Sequence, residues 1–496
     1  MTLRRGLLLG LTGTLLLVYL ACERDYGLLP EQDYDSIEEI VYSRHVQPLF
    51  NRKCATSGCH DAATAAEGFA MDSWESVMRG SEHGAMVIPF RPEKSHLIFH
   101  VNTDTTVAPV AAPRMPPDAP LSRSEVNFLM RWIREGAKND AGQVPFAQPR
   151  AGKVYVTCQA DDEVAVIDVE SNLVMRMVSV GALDNRVTPP EGPHNIVVDR
   201  QRQFYYVNMI VSNEIWKYRV RDDAFVAKLS LGDRASPAQV ALSTDGTLGY
   251  VSNFDLTGAN RGIQIFDTQN MRLLGRVTDA RIWAAHGVTV THAGTTLWTA
   301  NQQSDNIGIL DLRDPSGFEI LKVDPSVPDL PISAPRFGPY QIVFSPDDRF
   351  AYVTCRFSND VRVFATETRN LIATIRVGTN PLILEISPDG QYVYVANRGT
   401  GTSPSRSVSV IHTGTYTELA RIPDVGVEPH GVAVSRTGRY IYVSCENVSA
   451  PDAPHHPVAG LKTPGIVAVI DALTYRVVKR IEVGSFAAGI TFVPSP

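Results

Sequence analysis

The sequence predicts a mostly β protein: a seven-bladed β-propeller preceded by a small all-α domain. Three observations carry this. A strand pattern of aromatic-Val-x-Asn/Cys type recurs seven times after residue 153. Its aromatic falls at Tyr155, Tyr206, Tyr250, Trp298, Tyr352, Tyr394 and Tyr442, spaced 42 to 54 residues apart. Each repeat adds further short strands and a tight turn such as S-T-D-G (243–246) or S-P-D-G (387–390), and four short strands per unit of this length make a propeller blade. Before residue 153 the pattern is absent, and apolar residues there recur at helical spacing.

The chain has 496 residues, long enough for two or more domains with separate cores. Its net charge is −7, and no basic block stands out, which argues against a nucleic-acid partner. The six cysteines (22, 54, 59, 158, 355 and 445) are too sparse for a disulfide scaffold.

Residues 1–21 read as an export signal, with Arg4 and Arg5 ahead of an apolar run that is short for a membrane span. The run ends in Tyr19-Leu20-Ala21-Cys22. This resembles the bacterial lipoprotein cleavage box, with Tyr19 where the family prefers an aliphatic residue. The resemblance implies lipidation of Cys22 and a tether to a membrane surface, hence an extracytoplasmic, membrane-anchored location in the periplasm or at the cell surface. The alternative is an ordinary signal peptide with an incidental cysteine. Residues 22–38 are polar and read as a tether.

Residues 39–140 form the all-α segment. A helix is expected over 39–53, kinked or restarted at Pro48. It leads to F-N-R-K-C-A-T-S-G-C-H (50–60). Cys-x-x-Cys-His is the attachment signature of c-type haem. Here four residues separate Cys54 from Cys59, so the intervening loop must bulge. The two thiols would bind the porphyrin vinyl groups and His60 would ligate iron. A disulfide, or half of a zinc site, are the alternatives. Met115, in R-M-P-P, is the candidate sixth ligand. His83, His96, His100, Met71 and Met86 are rivals, and a core methionine is the bland reading. A last helix is expected from Ser122, with Glu125 completing a capping box and Gly136 as the stop.

The order helix, haem motif, loop methionine and C-terminal helix with W-I-x-x-G-A (132–137) resembles a single-haem cytochrome c domain. The resemblance implies one covalent haem c on Cys54 and Cys59, with His60 and Met115 as axial iron ligands. Residues 141–152 read as a linker.

The repeats over 153–496 resemble the YVTN family of seven-bladed propellers. The first unit lacks an inner strand and the last strand lacks a partner, so pairing of the two ends is expected to close the ring. Strand alternation puts the long excursions 181–193, 324–339, 398–406 and 447–465 on one face. On that face the residues opening the inner strands are His194, Ala238, His286, Tyr340, Leu382, His430 and Ala488. The imidazoles of His194, His286 and His430, with Tyr340, can share a second metal, bind an anionic substrate or second cofactor, or only hydrogen-bond loop carbonyls. Cys158, Cys355 and Cys445 share a register usually held by Asn and read as buried thiols, with metal binding as the alternative. Arg356 and Arg398 can receive an anion, with exposed arginine as the blander reading, and His455 and His456, in a Pro-rich loop, read as solvated.

Three functions are carried forward. The first is a lipid-anchored electron carrier whose propeller docks a redox protein partner. The second is a redox enzyme with a second metal or tetrapyrrole on the propeller axis. That arrangement resembles nitrite reductases joining a c-haem domain to a propeller, although those have eight blades. It also resembles nitrous oxide reductase, which needs more axial histidines than this chain has. The third is an adhesive propeller with a vestigial haem domain.

Overall fold

The computed structural model describes residues 32–147, 151–181, 191–328, 334–455, 457–458 and 460–495. The expected export signal and Cys22 lie outside these, as does His456. Among the described residues no helix is long and apolar enough to cross a membrane. The chain divides into Met1–Glu39 and Ile40–Pro496. The second unit holds both the propeller and the helical elements from Tyr42 onward.

Seven four-stranded antiparallel sheets form the propeller. Six are consecutive in sequence, with inner strands opening at Pro193, Pro237, Ala285, Pro339, Pro381 and Pro429 (blades 2 to 7). Blade 1 takes its inner strand, Ala487–Val493, from the chain's end and its others, Lys153–Cys158, Glu163–Asp168 and Leu173–Ser179, from the propeller's start. Lys153 pairs with Val493 and Tyr155 with Thr491, so the ring closes as expected and this edge is not left open. All seven repeat aromatics are buried between blades.

The third residue of each motif binds the blades together. It is Thr157, Asn208, Ser252, Ala300, Thr354, Ala396 and Ser444 in turn. The five polar ones each donate to the carbonyl of the next blade's axial residue: His194, Ala238, His286, Leu382 and Ala488. These buried carbonyls thereby gain a partner where no ladder supplies one.

The helical segment differs from expectation at its start. The helix expected over 39–53 begins as a π-helical turn, Tyr42–Val46, and continues as α1 (Gln47–Lys53). Pro48 sits in the first turn of α1, where its missing N–H leaves no bond unmade. α2 (Trp74–Arg79) and α3 (His96–Val101) are short. α4 (Arg123–Arg134) carries the expected capping box from Ser122 and Glu125. Trp132 of α4 packs between Tyr42 and Phe50, at ring separations of 5.7 and 6.1 Å, so the two ends of the segment cross. Arg52 also pairs with the buried Glu125 at 3.1 Å.

The segment rests against blades 1 and 7 at the long-loop end. Arg91 reaches Glu163 at 2.5 Å and the Met177 carbonyl at 2.7 Å, and Lys94 pairs with Glu163 at 2.9 Å. Ile88 enters the core formed by Cys158, Val174, Val467 and Ile481. Ala111 bridges to Val458 in the 447–465 loop.

Candidate functional site

Two sets of sequence-predicted residues are assembled. The first surrounds Cys54. α1 ends there, the Cys54 N–H donating to the Phe50 carbonyl. The four-residue insertion closes as a compact turn: His60 N–H donates to the Cys54 carbonyl at 3.2 Å and Cys59 N–H to the Thr56 carbonyl at 3.0 Å. Gly58 takes a φ of +84°, a conformation costly for other residues. Cys54 is buried and Cys59 exposed, and both are free thiols rather than a disulfide. Burial pushes the Cys54 thiol up to about 12.

His60 Nδ1 lies 2.9 Å from the Phe69 carbonyl. A carbonyl only accepts, so Nδ1 carries the proton and Nε2 the lone pair, the orientation of a metal-ligating imidazole. Two free thiols and this ring fit a covalently attached haem. Met115 is half-buried, with its N–H donating to the His100 carbonyl at 2.8 Å. His100 Nδ1 in turn lies 2.7 Å from the Pro113 carbonyl. Burial holds the His100 imidazole below its usual value, with His455 and His60 close enough to push it the same way. Of the other rivals, Met71 is buried, His83 pairs with Glu67, and Met86 and His96 line a cavity of about 340 Å³ against the propeller.

The second set lies on the propeller axis and is built by one repeated device. The residue two before each axial position (Phe486, Gly192, Ser236, Ala284, Gly338, Asn380, Glu428) has positive φ in all seven blades. Its carbonyl accepts, at 2.9–3.1 Å, from the N–H of the residue just after a repeat motif: Gln159, Ile210, Phe254, Gln302, Arg356, Arg398 and Glu446. Two concentric rings result, axial residues inside and motif-exit residues outside.

The rings interact through side chains. His194 Nε2 and His286 Nε2 are 3.4 Å apart. Tyr340 stacks on His286 at 3.5 Å, and His430 lies 5.3 Å from His194 edge to face. From the outer ring, Gln159 Oε1 holds His194 Nδ1 at 2.8 Å and Glu446 Oε1 holds His430 Nδ1 at 2.8 Å. Both imidazoles therefore keep Nε2 for the other side of the ring. Burial, with His430 beside it, pushes His194 down to about 3, and burial likewise holds His286 well below its usual value. Burial raises Tyr340 to about 12. Burial also pushes the Glu446 carboxyl up, but bonds from His430 and Arg398 outweigh it and hold it at about 2.

Of the two arginines that the sequence offers to an anion, Arg398 is already matched to carboxylates, whereas Arg356 bonds neutral groups. Arg398 is committed to Glu446 at 2.5 Å and Glu428 at 3.2 Å. Arg356 stacks on Tyr340 and bonds Asn380 and Gln302. Cys158, Cys355 and Cys445 are fully buried, and burial raises each thiol. The 398–406 excursion is a hairpin extension of two blade-6 strands, with Gly399 opposite Pro404. Sequence reasoning missed Glu446, Gln159 and Phe254; their signal was the shared register directly after each motif. It also missed Glu385, which lines an axial cavity of about 200 Å³ beneath the histidines and which burial raises to about 7.

Comparison with known proteins bears on both parts. Residues 57–119 match the family described as Planctomycete cytochrome C, and residues 328–450 match the family described as Lactonase, 7-bladed beta-propeller. The chain joins a cytochrome c domain to a seven-bladed propeller. The cytochrome match takes in Cys59, His60 and Met115 and starts just after Cys54. Among solved structures, a functionally unknown protein from Desulfotomaculum acetoxidans is similar at 14% identity and TM-score 0.51, over 69% of this chain and 99% of its own. Kuenenia stuttgartiensis hydrazine synthase is similar at 15% identity and TM-score 0.49, over 63% and 92%. At these identities the likeness concerns fold alone.

Proposed function

We propose that the protein is an extracytoplasmic c-type cytochrome, anchored through a lipid on Cys22, that passes single electrons through one haem to a redox protein docked on the propeller. The observation that carries this is His60: the Phe69 carbonyl fixes its tautomer directly after a closed Cys54–Cys59 turn. Cys54 and Cys59 would hold the haem covalently, and His60 and Met115 would ligate its iron. Haem bound in this way takes up and releases one electron at a time. The chain's part is to fix the ring of His60, to shield the group, and to hold the segment against blades 1 and 7 through Arg91 and Lys94. A reduced c-type visible spectrum that shifts in Met115→Ala supports this reading; an unchanged spectrum assigns the sixth position to another residue, with His100 the neighbour to substitute next.

A second reading, a redox enzyme with a metal on the propeller axis, is favoured by one observation. The neutral His194 and His286 face each other through Nε2 at 3.4 Å, a span at which two imidazoles share one proton or one cation. Metal analysis of purified protein separates the readings. Iron at one per chain, with no other metal that His194→Ala removes, supports the carrier; a second metal lost in His194→Ala supports the enzyme.

A further inference from the structure

We propose that Glu67, His83 and His455 form a zinc site that staples the cytochrome segment to the propeller. The site is separate from the Cys54 set and from the axial rings. Its donor atoms all lie within 4.8 Å of one another, the only such group of three His, Cys, Asp or Glu among the described residues. His83 Nε2 is 3.1 Å from Glu67 Oε2. The His83 and His455 rings stack with centroids 3.1 Å apart, closer than the 4.5–7 Å of ordinary aromatic pairs. Two imidazoles and a carboxylate thus converge from two distant parts of the chain.

The backbone on either side is already held. Glu82 N–H donates to the Glu67 carbonyl at 3.1 Å, and His83 N–H to Ser81 Oγ at 3.1 Å. Opposite, His455 N–H donates to Glu482 Oε1 at 2.9 Å. Asp452 is held by Arg406 at 2.6 Å, and the Asn447 amide donates to the Pro464 carbonyl at 2.8 Å. Lys479 reaches the Glu82 carbonyl at 2.7 Å. Closing the triad around an ion takes a rotation of the two stacked rings, so that their in-plane lone pairs meet at one point, on backbone already held at Glu67, His83 and His455.

Donor chemistry narrows the ion. Two nitrogens and one carboxylate oxygen suit zinc with a fourth position left for water; the same set also serves iron(II), and zinc, which has no redox chemistry, is the choice that fits a staple. Calcium and magnesium want oxygen throughout, and copper(I) wants sulfur.

The test is equilibrium dialysis of the full-length, chelator-treated protein against Zn²⁺, followed by metal analysis. The wild type binds one zinc per chain. His83→Ala and His455→Ala each weaken it by about 10- to 100-fold or more, given that even losing a group that only supports a ligand costs this much. His292→Ala, a histidine paired with Asp348 on another blade, leaves it unchanged, and circular dichroism confirms that the exposed-loop variant His455→Ala is folded. Equal zinc in wild type and His455→Ala, no zinc in the wild type, or zinc lost equally in His292→Ala overturns the proposal. The dialysis does not depend on colour, so it stands or falls apart from the haem.

Discussion

Glu446 offers a quantitative check on the axial rings. It is buried at 1% exposure, and it accepts from His430 at 2.8 Å and from Arg398 at 2.7 and 2.5 Å. Its carboxyl is lowered from 4.5 to about 2 in the fold. A depressed carboxylate adds stability that is fully present above its unfolded value and is lost as the pH falls through the folded one. Full deprotonation is then worth roughly 3 kcal/mol, of which about 2 kcal/mol disappears between pH 5 and pH 3. Glu446→Gln keeps the shape and removes the charge. Urea denaturation of wild type and Glu446→Gln is to be measured at both pH values. The variant is the less stable at pH 5 by about 3 kcal/mol, and the gap narrows by about 2 kcal/mol at pH 3. Carboxylates remote from Arg398 titrate equally in both proteins and cancel; Glu428, which shares Arg398, does not. A gap of the same size at both pH values refutes the assignment of Glu446 as the charged partner of His430 and Arg398.

The same geometry carries three more expected outcomes. Met115→Ala lowers the haem midpoint potential in a spectroelectrochemical titration, since a Met/His pair raises it; an unaltered potential removes Met115 from the iron. Thr157→Val leaves the buried Gly489 N–H, now 2.8 Å from Thr157 Oγ1, without its acceptor, and costs about 1–3 kcal/mol by chemical denaturation. Arg91→Met strands the buried Glu163 with Lys94 alone and costs about 1.5–3 kcal/mol; a double-mutant cycle with Glu163→Gln shows coupling, and strict additivity counts against the docked arrangement.

Much of the propeller was legible because its signal repeats. The repeat aromatics, the missing first inner strand and the unpartnered last strand specify seven blades closed through the chain's end, and the structure has that ring. The axial histidines were legible for the same reason: each opens an inner strand in a fixed register. The outer ring has equally regular spacing but mixed chemistry (Gln159, Phe254, Arg356, Glu446), so no single residue type advertised it. Arg356 and Arg398 read as anion receivers because charge alone is visible in a sequence, whereas the partners that occupy them come from neighbouring blades. The seat of the helical segment was not legible at all. Arg91 meets Glu163 across 72 residues with no periodicity linking them, and Glu67, His83 and His455 are brought together only by that seat. Pro48 marked the right position in the first helix, while the π-helical turn before it left no composition signal.

The central claim is a covalent bond set, and intact mass together with the reduced visible spectrum of the purified protein tests it most directly. The account predicts a coloured chain carrying the mass of a single haem, lost when Cys54 and Cys59 are both replaced by Ala. A colourless chain at its bare polypeptide mass contradicts it.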